Sequence, residues 1–149
     1  MDQKRKPVDE RWSRYPETVL HFTDVMVDLR VTVEQPVKDG LIALGLTEPF
    51  GILTPYNPRG VDAPDTKNQQ RMKEMKAELE SSGRNFIEVD ACSPDKSHCE
   101  RSVALVAARD QVIEIAKRWE QIAIFWFDGN SFWIYGAISD ASPIKLPVE

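Results

Sequence analysis

The sequence predicts an α+β fold: a mixed, largely antiparallel sheet packed with about three helices and closed by a β-hairpin. Three observations predict it. The 149 residues are 42% hydrophobic and 29% charged, the balance of an ordinary globular chain able to bury about two-thirds of the surface its unfolded form exposes. Short strand-like apolar runs outnumber helical stripes. Near the C-terminus two aromatic runs flank Asp128, Gly129 and Asn130, a tight-turn signal that makes the last two strands antiparallel. Helices laid on one side of a sheet fit this order better than a doubly wound parallel fold.

The opening stretch MDQKRKPVDERWSRYPE carries charge but no apolar segment, which is not the form of a secretory signal. Residues 18–33, TVLHFTDVMVDLRVTV, mix β-branched residues with approximate alternation and read as a strand or strand pair. Residues 35–45 read as a short helix ending near Gly45. PFGILTPY is an apolar run bounded by prolines, the form of a buried strand, and the loop NPRGVDAPDT follows. A helix starts at about Lys67, with Thr66 and Gln69 placed as a capping box and Gly83 as its C′ residue. Residues 85–90 and 100–107 are strands. The helix over 110–120 takes Asp110 as N-cap and puts Val112, Ile115, Ala116 and Trp119 on one face. IAIFWF and SFWIYG form the hairpin, and PIKLPVE is a tail. With no repeat, low-complexity tract or linker, the expectation is a single domain over 1–149 with flexible ends at 1–14 and 143–149.

Charge and composition narrow the function classes. A net charge of −5 argues against a nucleic-acid binder, which needs a basic face to neutralise phosphates. No run approaches the roughly 18 consecutive apolar residues that a membrane span requires. The chain reads as cytoplasmic, where a reducing environment would keep Cys92 and Cys99 as thiols in a polar segment. A zinc site would need His98 and His21 to complete it, without the paired-ligand spacing such sites show, so no metal is expected. No motif names a cofactor.

GILTPYNPRG, residues 51–60, ends a buried strand on polar residues at a sheet edge, where ligands bind in open α/β layers. Pro58 predicts an extended Asn57, Arg59 follows at once, and Gly60 permits a sharp turn. On a helical wheel with Asn68 at zero, Met72 falls at about 40°, Met75 at about 340°, Leu79 at about 20° and Arg71 at about 300°. Asn68 is thus on the buried stripe, in the first turn, facing the strand end that carries Asn57. Glu100 and Ser102, two apart at a strand start, share one face. They are the candidate catalytic pair, Glu100 as general base and Ser102 as hydrogen-bond donor. Asn57, Arg59, Asn68 and Arg71 are the candidate ligand-binding set. The competing structural reading makes Asn57 a turn residue, lets Asn68 satisfy loop carbonyls and pairs Glu100 with Arg59 or Arg71.

The succession GILTPYNPRG, NQQRMKEMKAEL, ERS, AKRWEQIAIFWFDG resembles a bacterial domain-of-unknown-function family, family 3293, over about residues 50–127. In that family a strand ends in T-A-x-N-P, an asparagine opens the next helix, an E-x-S follows, and a helix ends in a G-Q-x-A-I segment. Thr54, Asn57, Pro58, Asn68, Glu100, Ser102 and Gln121 are the matching positions. Pro55 stands where the pattern has a small residue, and Ser97-His98-Cys99 precedes Glu100 where a tryptophan-containing stretch is common. The resemblance supports the polar cluster and implies no activity.

The residues thus leave three functions open, and leave open whether the protein is an enzyme. The first is binding or hydrolysis of a small anionic, nucleotide- or phosphate-like ligand at the polar cluster. The second is an acidic interaction protein of immunity or antitoxin type that presents Phe125, Trp126, Phe127, Phe132, Trp133 and Tyr135 on one hairpin to a protein partner. The third is a nucleic-acid-associated accessory domain.

Overall fold

The computed structural model describes residues 12–148. Eight strands, β1 (Val19–Phe22), β2 (Val25–Asp28), β3 (Phe50–Leu53), β4 (Phe86–Cys92), β5 (Cys99–Leu105), β6 (Ala123–Phe127), β7 (Phe132–Gly136) and β8 (Ile144–Lys145), alternate with helices α1 (Gln35–Ala43), α2 (Asp65–Ser81) and α3 (Arg109–Arg118). The strands form one sheet ordered β2-β1-β4-β5-β3-β6-β7-β8, and every pairing between neighbours is antiparallel. The fold is α+β, and the sheet is antiparallel throughout rather than mixed.

Alternation sends side chains to two cores. On one face Met72, Met75 and Leu79 of α2 and Val112, Ile115 and Ala116 of α3 pack on Leu53, Val103, Leu105, Ile124 and Trp126. The opposite face gathers Leu20, Phe22, Val27 and Leu29 with Leu41 of α1, Phe50, Ile52, Phe125, Phe127, Phe132, Ile134 and Leu146. Both faces are therefore covered. The six hairpin aromatics divide between the two cores, each buried or half-buried, so with both faces covered they are core residues and do not form the exposed surface that the interaction reading requires.

Each helix ends on the same backbone device. Gly45, Gly83 and Glu120 have φ of 96°, 72° and 59°, their N–H groups bond Ile42, Glu80 and Lys117 carbonyls, and the next residues' N–H groups bond Leu41, Leu79 and Ala116. This is the Schellman pattern with a left-handed C′ residue. Gly45 and Gly83 terminate their helices as the sequence predicts, whereas the α3 terminator carries a side chain and left no glycine signal. Trp119 is consequently the half-buried C-cap of α3 rather than the last residue of its buried stripe.

The helix starts differ from the expected caps. α2 begins directly after Pro64 and α3 after Ala108, neither with a side-chain cap, so Thr66 and Asp110 lie inside first turns. A proline restricts the residue before it and cannot continue a helix backwards, so Pro64 marks the boundary.

Two further corrections concern the termini and the cysteines. PIKLPVE is not a tail over its described part: Ile144 and Lys145 pair with β7, and Leu146 is buried. Two residues are too few to show a period, which is why the sequence hid this strand. Cys92 and Cys99, expected as thiols in a loop, face each other across the β4–β5 hairpin and are joined as a disulfide with Cα atoms 4.1 Å apart. Of the expected flexible ends, residues 1–11 and 149 lie outside the described residues.

Candidate functional site

Beyond β3 the chain turns across the end of the sheet, and the polar side chains named from the sequence hold that turn. Thr54 Oγ1 donates to the Arg101 carbonyl at 2.5 Å and accepts the Tyr56 N–H at 3.1 Å. Arg71 Nε donates to the Pro55 carbonyl at 2.6 Å and Gln121 Nε2 to the Tyr56 carbonyl at 3.1 Å. Successive peptide groups of the turn are thus bound by β5, α2 and the segment after α3.

Asn57 is the centre of the cluster. Its backbone N–H donates to Asn68 Oδ1, and its Oδ1 accepts from Asn68 Nδ2 and the Ala63 N–H, each at 2.9 Å. Its Nδ2 donates to Glu100 Oε2 at 2.7 Å. The residue is not extended, as Pro58 predicted, but left-handed at φ 48°, ψ 63°. A following proline disfavours the right-handed helical region, and asparagine tolerates the left-handed one. In this conformation the Asn57 N–H reaches the Asn68 amide.

Ser102 is on the same strand face as Glu100 and donates to the Glu100 carbonyl at 3.2 Å. The structure therefore joins Asn57, Asn68 and Glu100 through side chains, and links Ser102 to them only through the Glu100 carbonyl. Arg71 touches the cluster through the loop: Nη2 donates to the Trp119 carbonyl at 2.7 Å, and the guanidinium lies 5.2 Å from the Trp119 ring. Arg59 is elsewhere. Its backbone N–H bonds the Glu120 carbonyl at 2.7 Å, and its 69% exposed side chain pairs with the Glu120 carboxylate at 3.0 Å. The Glu100 carboxylate accepts from Asn57 and stands beside His98.

Burial decides what the cluster can do. Asn57, Asn68, Ser102 and Gln121 are the buried polar residues among those described, at 6%, 3%, 2% and 6% exposure, and no buried side-chain nitrogen or oxygen there lacks a partner. Their hydrogen-bonding capacity is directed into the protein, the mark of a structural network. Gln121 is the member the residue-level site reading left out, and its signal was a polar side chain between an α3 end and the apolar run of β6.

Glu100 differs from the other three. Its side chain is 20% exposed and stands 3.5 Å from His98 Nε2, on the wall of a cavity of about 620 Å³ that Arg14, Arg30, Tyr15 and Phe125 also line. Arg30 is held by a two-pronged contact to Asp28, both bonds 2.9 Å, which keeps the Asp28 carboxyl below the usual carboxylate range and raises the guanidinium. No group of three or more acidic, histidine or cysteine side chains suited to a metal exists among the described residues. None of their helices is long and apolar enough to cross a membrane.

Comparison with known proteins agrees with the pattern read from the residues. Residues 53–124 match the family described as Protein of unknown function (DUF3293), a stretch that holds Thr54, Asn57, Asn68, Arg71, Glu100, Ser102 and Gln121. No curated protein and no solved structure matches the chain.

Proposed function

We propose that this protein, which belongs to the DUF3293 family through residues 53–124, binds a small anionic ligand in the cavity beside Glu100. Arg14 and Arg30 face the negative group of the ligand, and Glu100 accepts a hydrogen bond from a hydroxyl or amine of the same molecule. One observation carries the reading: Asn57 fixes Glu100 from inside the protein at 2.7 Å while the carboxylate still borders the cavity. A volume of about 620 Å³ suits a small-molecule site. The Arg14 fork matches phosphate or carboxylate oxygens, Arg30, whose own fork is held by Asp28, adds its charge and remaining N–H groups, and Tyr15 and Phe125 supply apolar wall for a carbon skeleton. Asn57, Asn68 and Ser102 then act as the scaffold of Glu100, Arg71 and Gln121 hold the turn, and Arg59 is outside the site. The aromatic docking surface loses its support because those rings fill the cores.

Isothermal calorimetry and thermal melting with inorganic phosphate, adenosine monophosphate and ribose 5-phosphate test the proposal. We expect saturable binding of at least one organic phosphate, weakened about tenfold or more in Arg14→Ala and Arg30→Ala, the effect of losing a charge-assisted contact. Glu100→Gln should bind inorganic phosphate as the wild type does and lose the preference for the organic probe. Absence of binding to all three at millimolar concentration overturns the reading.

A further inference from the structure

The Cys92–Cys99 disulfide closes the hairpin tip that walls the Glu100 cavity. Ser93 N–H bonds the His98 carbonyl at 2.8 Å, so that pair is the hydrogen-bonded one and Cys92–Cys99, one step inward, is the close non-bonded pair of the ladder. Of the tip, Ser93, Pro94, Asp95, Ser97 and His98 border the cavity, as does Cys92. Asp95 organises the tip from within, accepting the Ser97 N–H at 3.0 Å and the Ser93 and Ser97 hydroxyls at 2.8 Å each. The two cysteines are unequal: Cys92 is 2% exposed and Cys99 is exposed.

We infer that the Cys92–Cys99 bond is a redox modification site, reduced by a dithiol that attacks Cys99, and that its state sets the position of His98 and Glu100 at the cavity. A dithiol thiolate reaches the exposed Cys99 Sγ, the Sγ–Sγ bond breaks, and Cys92 leaves as a thiolate that takes a proton. The second thiol of the reductant then attacks the mixed disulfide, closing its own disulfide and releasing Cys99 as a thiol. Two cysteines are reduced and one dithiol is oxidised. Once unbonded, the sulfurs must separate to van der Waals contact. Cys92 is packed in the core, so Cys99 is the partner that moves, and its sequence neighbours are His98 and Glu100, themselves 3.5 Å apart. The link to ligand binding rests on the cavity reading above, whereas the exchange chemistry and the loosening of the tip do not.

The test uses the full chain under native conditions. Dithiothreitol followed by iodoacetamide should alkylate Cys99 in folded protein, with the buried Cys92 reacting only on unfolding. Amide hydrogen exchange over residues 97–100 should accelerate on the order of tenfold on reduction, as a local opening does. With oxidised glutathione, Cys92→Ser, which keeps the Cys99 thiol, should form a mixed disulfide faster than Cys99→Ser. Alkylation of Cys99 only after unfolding, unchanged exchange, or the reverse order of the two variants overturns the inference. Calorimetry with inorganic phosphate, adenosine monophosphate and ribose 5-phosphate on both redox forms separates the two proposals. Binding by neither form defeats the ligand site and leaves the exchange result standing; equal binding by both forms defeats the coupling.

Discussion

Asn57 makes four hydrogen bonds through its backbone N–H and side chain in a left-handed conformation, so two different terms can be removed from it separately. Asn57→Gly keeps the backbone conformation accessible and loses the three side-chain bonds. Asn57→Ala loses the same bonds and also the side-chain amide that lets asparagine tolerate the left-handed region, so it stands about 1 kcal/mol worse there than glycine, which has no Cβ. With the Glu100 and Asn68 groups left short of a partner, Asn57→Ala should cost about 3 kcal/mol in total and Asn57→Gly about 1 kcal/mol less. Urea midpoints of the two variants check this, and equal losses would show that the conformation is not what selects asparagine. Single residues were unevenly legible. Asn68 could be placed on the buried stripe because a helical wheel is fixed geometry. Glu100 and Ser102 shared a face because a strand has period two. The Asn57 conformation was not legible, since Pro58 excludes one region of backbone space and a tertiary partner, Asn68, chose among the rest. The cysteine pair was missed for a related reason: their contact is set by strand register, which neither the polar loop sequence nor the spacing reveals. Trp119 was misread because the wheel continues past the true helix end, where the Schellman turn rotates the chain away.

At the scale of elements, α3 lies on β3 where Gly51 leaves room for it. A Cβ on Gly51 would stand 2.5 Å from Val112 Cγ1 and 3.0 Å from Cγ2, and a β-branched side chain has few rotamers in a helix with which to retreat. Gly51→Ala should therefore destabilise the protein by about 2 kcal/mol, the size of an overpacking penalty. Val112→Ala removes the opposing methyls and leaves a cavity of its own, so the double variant should be more stable than the sum of the two losses predicts. A double-mutant cycle measured by urea unfolding gives the coupling, and additive losses would mean that α3 and β3 do not meet at this point. The element list itself was largely readable. Hairpin β6–β7 announced itself through its turn, α2 through its stripe and terminal glycine, and β3 through its bounding prolines. Helix starts were not, because α2 and α3 begin without capping side chains, leaving the sequence rule nothing to detect.

For the whole molecule, the local hairpins β1–β2, β4–β5 and β6–β7 follow from sequence neighbours, while β1–β4, β3–β5 and β3–β6 join strands far apart in the chain. No local pattern chooses such partners, so the sheet order and the covering of both its faces emerged only in three dimensions. The consequence is that the last residues belong to the same core as the first strands. Leu146, 3% exposed, sits in one cluster with Leu20, Phe22 and Val27 of the opposite end of the sheet order. We expect Leu146→Ala to cost about 3 kcal/mol, as buried leucine truncations do, and Val148→Ala, at a site 57% exposed, to change stability by less than about 0.5 kcal/mol. Tryptophan fluorescence and far-UV circular dichroism should follow one urea transition for both variants. The midpoint should be lower for Leu146→Ala and the slope the same, since the surface exposed on unfolding is unchanged. A Leu146→Ala midpoint equal to the wild type would return residues 143–148 to the status of a tail. Two separated transitions would show that the cores on the two sheet faces unfold independently.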